Sequence, residues 1–157
     1  MSSNEKFWYD KFLFSTVSSS AKVILKVSES GQIISLLEGI SEATVDAYNN
    51  NKKTLFIGNG GSAADAQHLA AEMLVRLRPM NNREGIAAIA LAQDTSTITA
   101  CGNDFGYEKL YERTVTALGR EGDCLIGITT SGNSENIILA MKAAKKMNIK
   151  VFGFLGC

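Results

Sequence analysis

Residues 54–72 read TLFIGNGGSAADAQHLAAE, and the organisation of the remaining chain follows from them. The first four residues, Thr54 to Ile57, have the length and the β-branched and aromatic content of a buried strand. The pattern breaks at GNGG, and Ser62 is the predicted N-cap of an alanine-rich helix. A glycine turn between strand and helix presents backbone N–H groups and a helix dipole to an anion. It fits neither the dinucleotide fingerprint nor the P-loop, so anion binding and an ordinary βα connection both stay open.

The composition indicates one globular domain of 157 residues with a substantial core. Sixteen basic and sixteen acidic residues leave no net charge, which argues against a nucleic-acid backbone binder. No apolar run is long enough to span a membrane, and the N-terminus lacks a signal-peptide core. The three cysteines, Cys101, Cys124 and Cys157, have no CxxC spacing and are expected to be reduced thiols of a cytoplasmic protein. Cys124 lies in an apolar run and is predicted to be a core residue.

Helices and strands alternate along most of the chain. Two helices are predicted first, one over 5–29 with an interruption near 18–20 and an amphipathic one from Gly31 to about 51. This segment, 1–51, is expected to mediate oligomerisation, with packing on the domain's own sheet as the alternative. The core, 52–157, has four predicted strands and four helices. The strands are 54–57, 86–91, 124–129 and 150–155, and the helices are 62–77, 95–100, 107–118 and 134–147. Strands this apolar imply a parallel α/β sheet covered on both faces.

Ligands of such sheets bind beyond the carboxyl ends of the strands, where three polar turns are predicted: 58–62, 102–106 and 129–134. The last turn, TTSGNS, places four hydroxyls and a glycine between a buried strand and a helix N-terminus. Hydroxyls and free N–H groups there suit a phosphate monoester. No lysine follows the turn, so a phosphate is expected to be held rather than transferred. N-capping by Ser131 or Ser134 is the alternative interpretation.

His68, the only histidine, precedes Glu72 by four residues, so both side chains lie on one helix face. This spacing suits two ligands of one metal, or a base beside an orienting group. A surface ion pair is the alternative, since two ligands do not complete a zinc site. Asn103 and Asp104 lie in the predicted turn at 101–106, where they either bind sugar hydroxyls or only stabilise the turn.

Three motifs together resemble the phosphoheptose isomerases, which are sugar-isomerase (SIS) domain proteins. They are GNGGSAADAQHLAAE at 58–72, CGNDFG at 101–106 and GREGDCLIGITTSGNSENI at 119–137. The resemblance covers about residues 30–157. It implies an α/β parallel-sheet three-layer sandwich of the SIS (flavodoxin-like) type with two N-terminal helices. It also implies an aldose–ketose isomerase that converts sedoheptulose 7-phosphate to D-glycero-D-manno-heptose 7-phosphate through an enediol, for surface polysaccharide synthesis.

The resemblance also implies roles for individual residues. Glu72 matches the carboxylate that moves a proton between C1 and C2, and His68 and Glu72 match two zinc ligands. The remaining matches are substrate-binding residues: Asn59, Gly60 and Gly61 line the substrate, Asn103 and Asp104 bind its hydroxyls, and Ser62, Thr129, Thr130, Ser131 and Ser134 hold its phosphate.

The same resemblance sets expectations for partners and for chain length. It implies a homotetramer with a sugar-phosphate substrate, and neither a nucleic acid nor a membrane as partner. The alternative is a non-catalytic SIS tetramer that acts as a scaffold and binds the bacterial replication initiator. Family members continue with a further strand and a helix that carries a glutamine and a histidine. We therefore expect the SIS core of this chain to be C-terminally incomplete and the encoded protein to extend beyond Cys157.

Overall fold

The computed structural model describes residues 3–156, with side chains from residue 7 onwards. The chain divides into two compact units, 1–41 and 42–157, and each is described by itself. No helix within residues 3–156 is both long enough and apolar enough to cross a membrane.

The first unit contains α1, Ser3–Glu29, and the beginning of α2, Gly31–Asn49. The bounds of α2 confirm the predicted second helix, but the predicted interruption of α1 near 18–20 is wrong. Serine hydroxyls bond to carbonyls one turn earlier in the same helix, as Ser20 Oγ does to the Thr16 carbonyl at 3.1 Å. Because these bonds leave the backbone ladder intact, the serines do not break the helix.

The second unit is a parallel α/β layer structure, as predicted. Its four strands lie in the order β2-β1-β3-β4, and every neighbouring pair is parallel. The strands are β1 Thr54–Gly58, β2 Ala88–Ala90, β3 Cys124–Thr129 and β4 Lys150–Leu155. The helices are α3 Gly61–Leu74, α4 Thr95–Asp104, α5 Leu110–Leu118 and α6 Glu135–Lys146, with a 3₁₀ turn over Tyr107–Lys109.

The core lies on β1 and β3, the two inner strands. All five residues of β1 are buried, and Leu55, Ile57 and Leu125 pack in one apolar cluster with side chains of α5 and α6. Cys124 is 0% exposed, which confirms it as a core residue. The register pairs Gly58 with Ile128, so the loops after β1 and β3 leave the sheet side by side.

Three local predictions are wrong, each for an identifiable reason. Ser62 is not the N-cap of α3: Gly60 is, with φ 55°, and the left-handed glycine lets the chain enter the helix at Gly61. Strand β2 is shorter than 86–91 because the Ile86 N–H donates to the Met73 carbonyl at the end of α3 rather than to a strand. The predicted turn at 101–106 is helical through Asp104, because the Asp94 side chain caps α4 and the helix continues until Phe105.

Candidate functional site

Two loops lie side by side at the carboxyl edge of the sheet. The first, 58–62, follows β1, and the second, 129–134, follows β3, its neighbour in the sheet. Glycine is required at position 58 because a Cβ there would collide with the Ser62 backbone carbonyl. This close approach turns the chain directly from the strand into α3 and brings the N-terminus of that helix to the sheet edge.

The second loop gathers the hydroxyls that the sequence singled out. Thr129 Oγ1 lies 3.0 Å from Ser134 Oγ and 3.4 Å from Ser131 Oγ. Ser134 occupies the N-cap position of α6 without a side-chain capping bond, so the capping interpretation is wrong for Ser134. Ser131 Oγ accepts from the Asn133 N–H at 3.2 Å, which is a local turn contact. Thr130 is exposed beside them. Three hydroxyls therefore converge at a helix N-terminus, where an anion is favoured.

A pair of asparagine amides joins the first loop to the first turn of α6, the helix that follows the second loop. Asn59 Nδ2 donates to Asn136 Oδ1 at 2.9 Å, and Asn136 Nδ2 donates back to Asn59 Oδ1 at 2.8 Å. The Tyr107 hydroxyl donates to the same Asn59 oxygen at 2.9 Å, and the Ile137 N–H donates to Asn136 Oδ1 at 3.0 Å. Asn136 is 3% exposed, so this is a satisfied, buried amide rather than a ligand-binding group.

Sequence reasoning missed Asn136, Tyr107 and Tyr111 in this network. The available signal was the amide of Asn136, which directly precedes the apolar stretch at 137–141. The Tyr111 hydroxyl donates to the Gly58 carbonyl, and burial raises the pKa of Tyr111 to about 12. Tyr111 therefore stays protonated and fastens the end of β1 at neutral pH.

Asn103 and Asp104 lie at the C-terminal end of α4. Both are exposed in the last turn of α4, where Asn103 Nδ2 donates to Asp104 Oδ1 at 2.8 Å. Asp104 lines a cavity of about 640 Å³ with Phe105 and Arg113, whose guanidinium carbon lies 3.8 Å from the Phe105 ring centre. Within residues 3–156 no hydrogen bond joins either residue to the hydroxyl cluster.

His68 and Glu72 lie on one face of α3, as predicted. His68 Nε2 lies 3.6 Å from Glu72 Oε1, with 72% of the histidine side chain and 28% of the glutamate side chain exposed. Two donors at this spacing fit two positions of a tetrahedral zinc site. In the part of the chain that the structure describes, no three His, Cys, Asp or Glu side chains come together to hold a metal. Among the described residues, His68 and Glu72 therefore offer two of the four donors that a tetrahedral zinc site needs.

Comparisons with known proteins agree on one family. Residues 16–156 match a family model described as the SIS domain. The chain is 48% identical over 145 residues to a phosphoheptose isomerase of Clostridium acetobutylicum, covering 92% of this chain and 73% of that protein. It is 55% identical over 115 residues to a phosphoheptose isomerase of Paramagnetospirillum magneticum, covering 73% of this chain and 59% of that protein.

A solved structure supports the same relationship. The structure of phosphoheptose isomerase GmhA from Neisseria gonorrhoeae superposes with a TM-score of 0.84 at 38% identity, covering 95% of this chain and 76% of that chain. The present chain thus spans from about three-fifths to about three-quarters of the length of these relatives.

Proposed function

This chain belongs to the phosphoheptose isomerases, a family of SIS-domain proteins, and we propose from that premise that it is an aldose–ketose isomerase. The proposed reaction converts sedoheptulose 7-phosphate to D-glycero-D-manno-heptose 7-phosphate through an enediol. The observation that carries the proposal is the convergence of Thr129, Ser131 and Ser134 hydroxyls at the N-terminus of α6, beside the glycine loop of β1. The relatives are named isomerases, and the scaffold alternative gains no support from them.

The hydroxyl cluster is proposed to hold the phosphate. Thr129, Ser131 and Ser134 offer hydroxyls, Thr130 adds an exposed one, and Ser62 stands at the N-terminus of α3. Gly60 and Gly61 of the first loop are proposed to line the substrate through their backbone. No lysine follows either loop, so the phosphate serves as a handle and is not transferred.

Glu72 is proposed to move the proton between C1 and C2. It follows Ser62 by ten residues, which is about 15 Å along the helix axis, and its Cβ tilts back towards the N-terminus. With its phosphate held near Ser62, the substrate is proposed to extend along α3 so that C1 and C2 lie beside the Glu72 carboxylate. Asn103 and Asp104 are proposed to bind sugar hydroxyls.

Zinc is proposed as the cofactor, with His68 and Glu72 as two of its ligands. When bound, zinc would supply a Lewis acid that polarises the substrate carbonyl. Removal of metal by a chelator should then lower the isomerase activity, and addition of zinc should restore it. Activity that changes in neither experiment would indicate that His68 and Glu72 form only an ion pair.

The assembly and the setting of the protein are also proposals. The exposed aromatic side chains of α1, among them Trp8 and Phe12, support self-association as a homotetramer. The free thiols of Cys101 and Cys124 support a reducing, cytoplasmic compartment. The heptose phosphate product suits a role in lipopolysaccharide or other surface polysaccharide synthesis.

The test is the conversion of sedoheptulose 7-phosphate by the purified protein, followed by NMR in D2O. An aldoheptose 7-phosphate with deuterium at C2 is expected, because the enediol exchanges its proton with solvent. Glu72→Gln should abolish turnover, while Glu121→Gln, an exposed carboxylate on the loop before β3, should leave it unchanged. Absence of conversion by the folded protein, or full activity of Glu72→Gln, would contradict the proposal.

A further inference from the structure

The C-terminal end of α3 is fastened by one arginine from the loop that follows it. Arg83 Nη2 donates to the Glu72 carbonyl at 2.7 Å, and Arg83 Nη1 donates to the Met73 carbonyl at 2.8 Å. Nη1 also donates to the Glu84 carbonyl at 2.8 Å. One planar guanidinium thus binds two successive carbonyls of the last helical turn and one carbonyl of its own loop.

These bonds satisfy groups that a helix end leaves without partners. The last four carbonyls of an α-helix have no intrahelical donor, and in α3 they belong to residues 71–74. The Ala71 carbonyl accepts from the Val75 N–H, and the Met73 carbonyl accepts from the Ile86 N–H as well as from Arg83. The Glu72 carbonyl is bound by Arg83. A cation at this end also offsets the partial negative charge of the helix C-terminus.

The loop approaches the helix closely enough to hold the guanidinium in one place. A Cβ added at Gly85 would lie 2.7 Å from the Leu74 carbonyl oxygen, a distance that only glycine avoids. The next residue, Ile86, donates its N–H to the Met73 carbonyl at 3.0 Å. The loop therefore contacts the last turn through the Arg83 side chain and, independently, through its backbone at 85–86.

We infer that Arg83 is a positioning residue for Glu72. A base in the last turn of a helix lies where helices fray, and a displacement of about 1 Å at a catalytic group can cost about 100-fold in rate. Arg83 is bonded to the Glu72 main-chain carbonyl and acts through Glu72, not as a catalytic residue. The inference rests on the proposed function, because it assumes that Glu72 performs the proton transfer.

Steady-state kinetics with sedoheptulose 7-phosphate test this role. Arg83→Met, which keeps an unbranched side chain but removes the guanidinium, should lower kcat by about 10- to 100-fold. KM should change little, because the hydroxyls proposed to hold the phosphate lie after β3 and at the opposite end of α3. Arg83→Lys should give an intermediate kcat, since an ammonium group cannot bridge two carbonyls as a planar fork does. The matched control is Arg78→Met, an exposed arginine of the same loop, which should leave both constants unchanged.

Chemical rescue separates positioning from general destabilisation. Millimolar guanidinium should restore part of kcat in Arg83→Ala and have no effect on Arg78→Ala. An unchanged kcat in Arg83→Met, an equal loss in the Arg78 control, or a raised KM at constant kcat would overturn the inference. If Arg83→Ala and Arg83→Met fail to fold, Arg83→Lys tests the inference instead. A wild-type kcat in Arg83→Lys would overturn it.

Amide hydrogen exchange gives a readout that does not depend on activity. In Arg83→Met the Val75 and Ile86 amides should exchange faster, while amides of β3 should keep their wild-type protection. Unchanged exchange at the Val75 and Ile86 amides would overturn the inference that Arg83 stabilises the last turn of α3. Full activity of Glu72→Gln would instead contradict the proposed function, and the exchange result would still report on Arg83. The two failures are therefore distinguishable.

Discussion

Removal of the Asn136 side chain should weaken the protein and its substrate site together. Asn136→Ala deletes both amide bonds to Asn59 and the bond that Asn136 Oδ1 accepts from the Ile137 N–H. The amide is buried and joins the first turn of α6 to the loop after β1. The substitution therefore separates the loop proposed to hold the phosphate from the loop proposed to line the sugar.

The expected magnitude follows from the number of bonds. Three hydrogen bonds at about 1 kcal/mol each give a loss of roughly 3 kcal/mol in the free energy of unfolding. Asn59 is half-buried, so water can hydrogen-bond to part of its amide in the Asn136→Ala variant. This reduces the expected loss in the free energy of unfolding to about 2–3 kcal/mol. Asn59→Ala removes the same reciprocal pair, and the double variant should show a coupling energy of about 1–2 kcal/mol.

Urea unfolding of the wild type, both single variants and the double variant measures these quantities. All four proteins are compared at one protein concentration, because any self-association contributes to apparent stability. The control is Asn133→Ala, an exposed amide of the same loop, which should cost less than about 0.5 kcal/mol. Additive effects of the two single substitutions, or a loss at Asn136 no larger than that of the control, would refute the reasoning.

Three further outcomes are expected. Ser131→Ala should weaken substrate binding by about 1–2 kcal/mol, seen as a raised KM, and an unchanged KM would contradict the phosphate assignment. Thr54 Oγ1 is buried without a hydrogen-bond partner among residues 3–156, so Thr54→Val should raise the free energy of unfolding by about 1 kcal/mol; a loss on urea unfolding would count against this. Burial raises the pKa of the Cys124 thiol from 9.0 to about 11. As the pH rises, the thiol therefore loses its proton at a lower pH in the unfolded chain than in the folded chain. Stability should therefore fall between pH 9 and 11 by about 2–3 kcal/mol, and a Cys124→Ala variant with the same fall would exclude the thiol as its source.

Patterns within a short window were sufficient for most of the fold. The apolar runs at 124–129 and 150–155 predicted β3 and β4 with the bounds that the structure has. The amphipathic pattern after Gly31 predicted α2 equally well. In each case the physical cause, burial of one face or of a whole strand, acts on residues that are neighbours in the sequence.

Features that depend on a backbone angle or on a distant partner could not be predicted in this way. Helix propensity does not show that Gly60 adopts φ 55° and is the N-cap of α3. The helix therefore starts at Gly61, two residues earlier than a cap at Ser62 would place it. The Asn59–Asn136 pair spans 77 positions and exists because β1 and β3 are neighbours in the sheet. The hydroxyl cluster was predictable because its members share one turn, whereas the amides that fasten it to the next loop do not.

The amide pair also changes which groups of the first loop can bind a substrate. Asn59 Oδ1 already accepts from Asn136 and Tyr107, and Asn59 Nδ2 already donates to Asn136. Within residues 3–156 no acceptor bonds the N–H groups of Gly60 and Gly61, whereas those of the next two residues are bonded inside the turn. On the proposed function, we therefore expect this loop to bind the substrate through its backbone N–H groups, with Asn59 stabilising the loop through its bonds to Asn136 and Tyr107. Asn59→Ala and Asn136→Ala should therefore raise KM by similar factors, and a much larger effect at Asn59 would show a direct substrate contact instead.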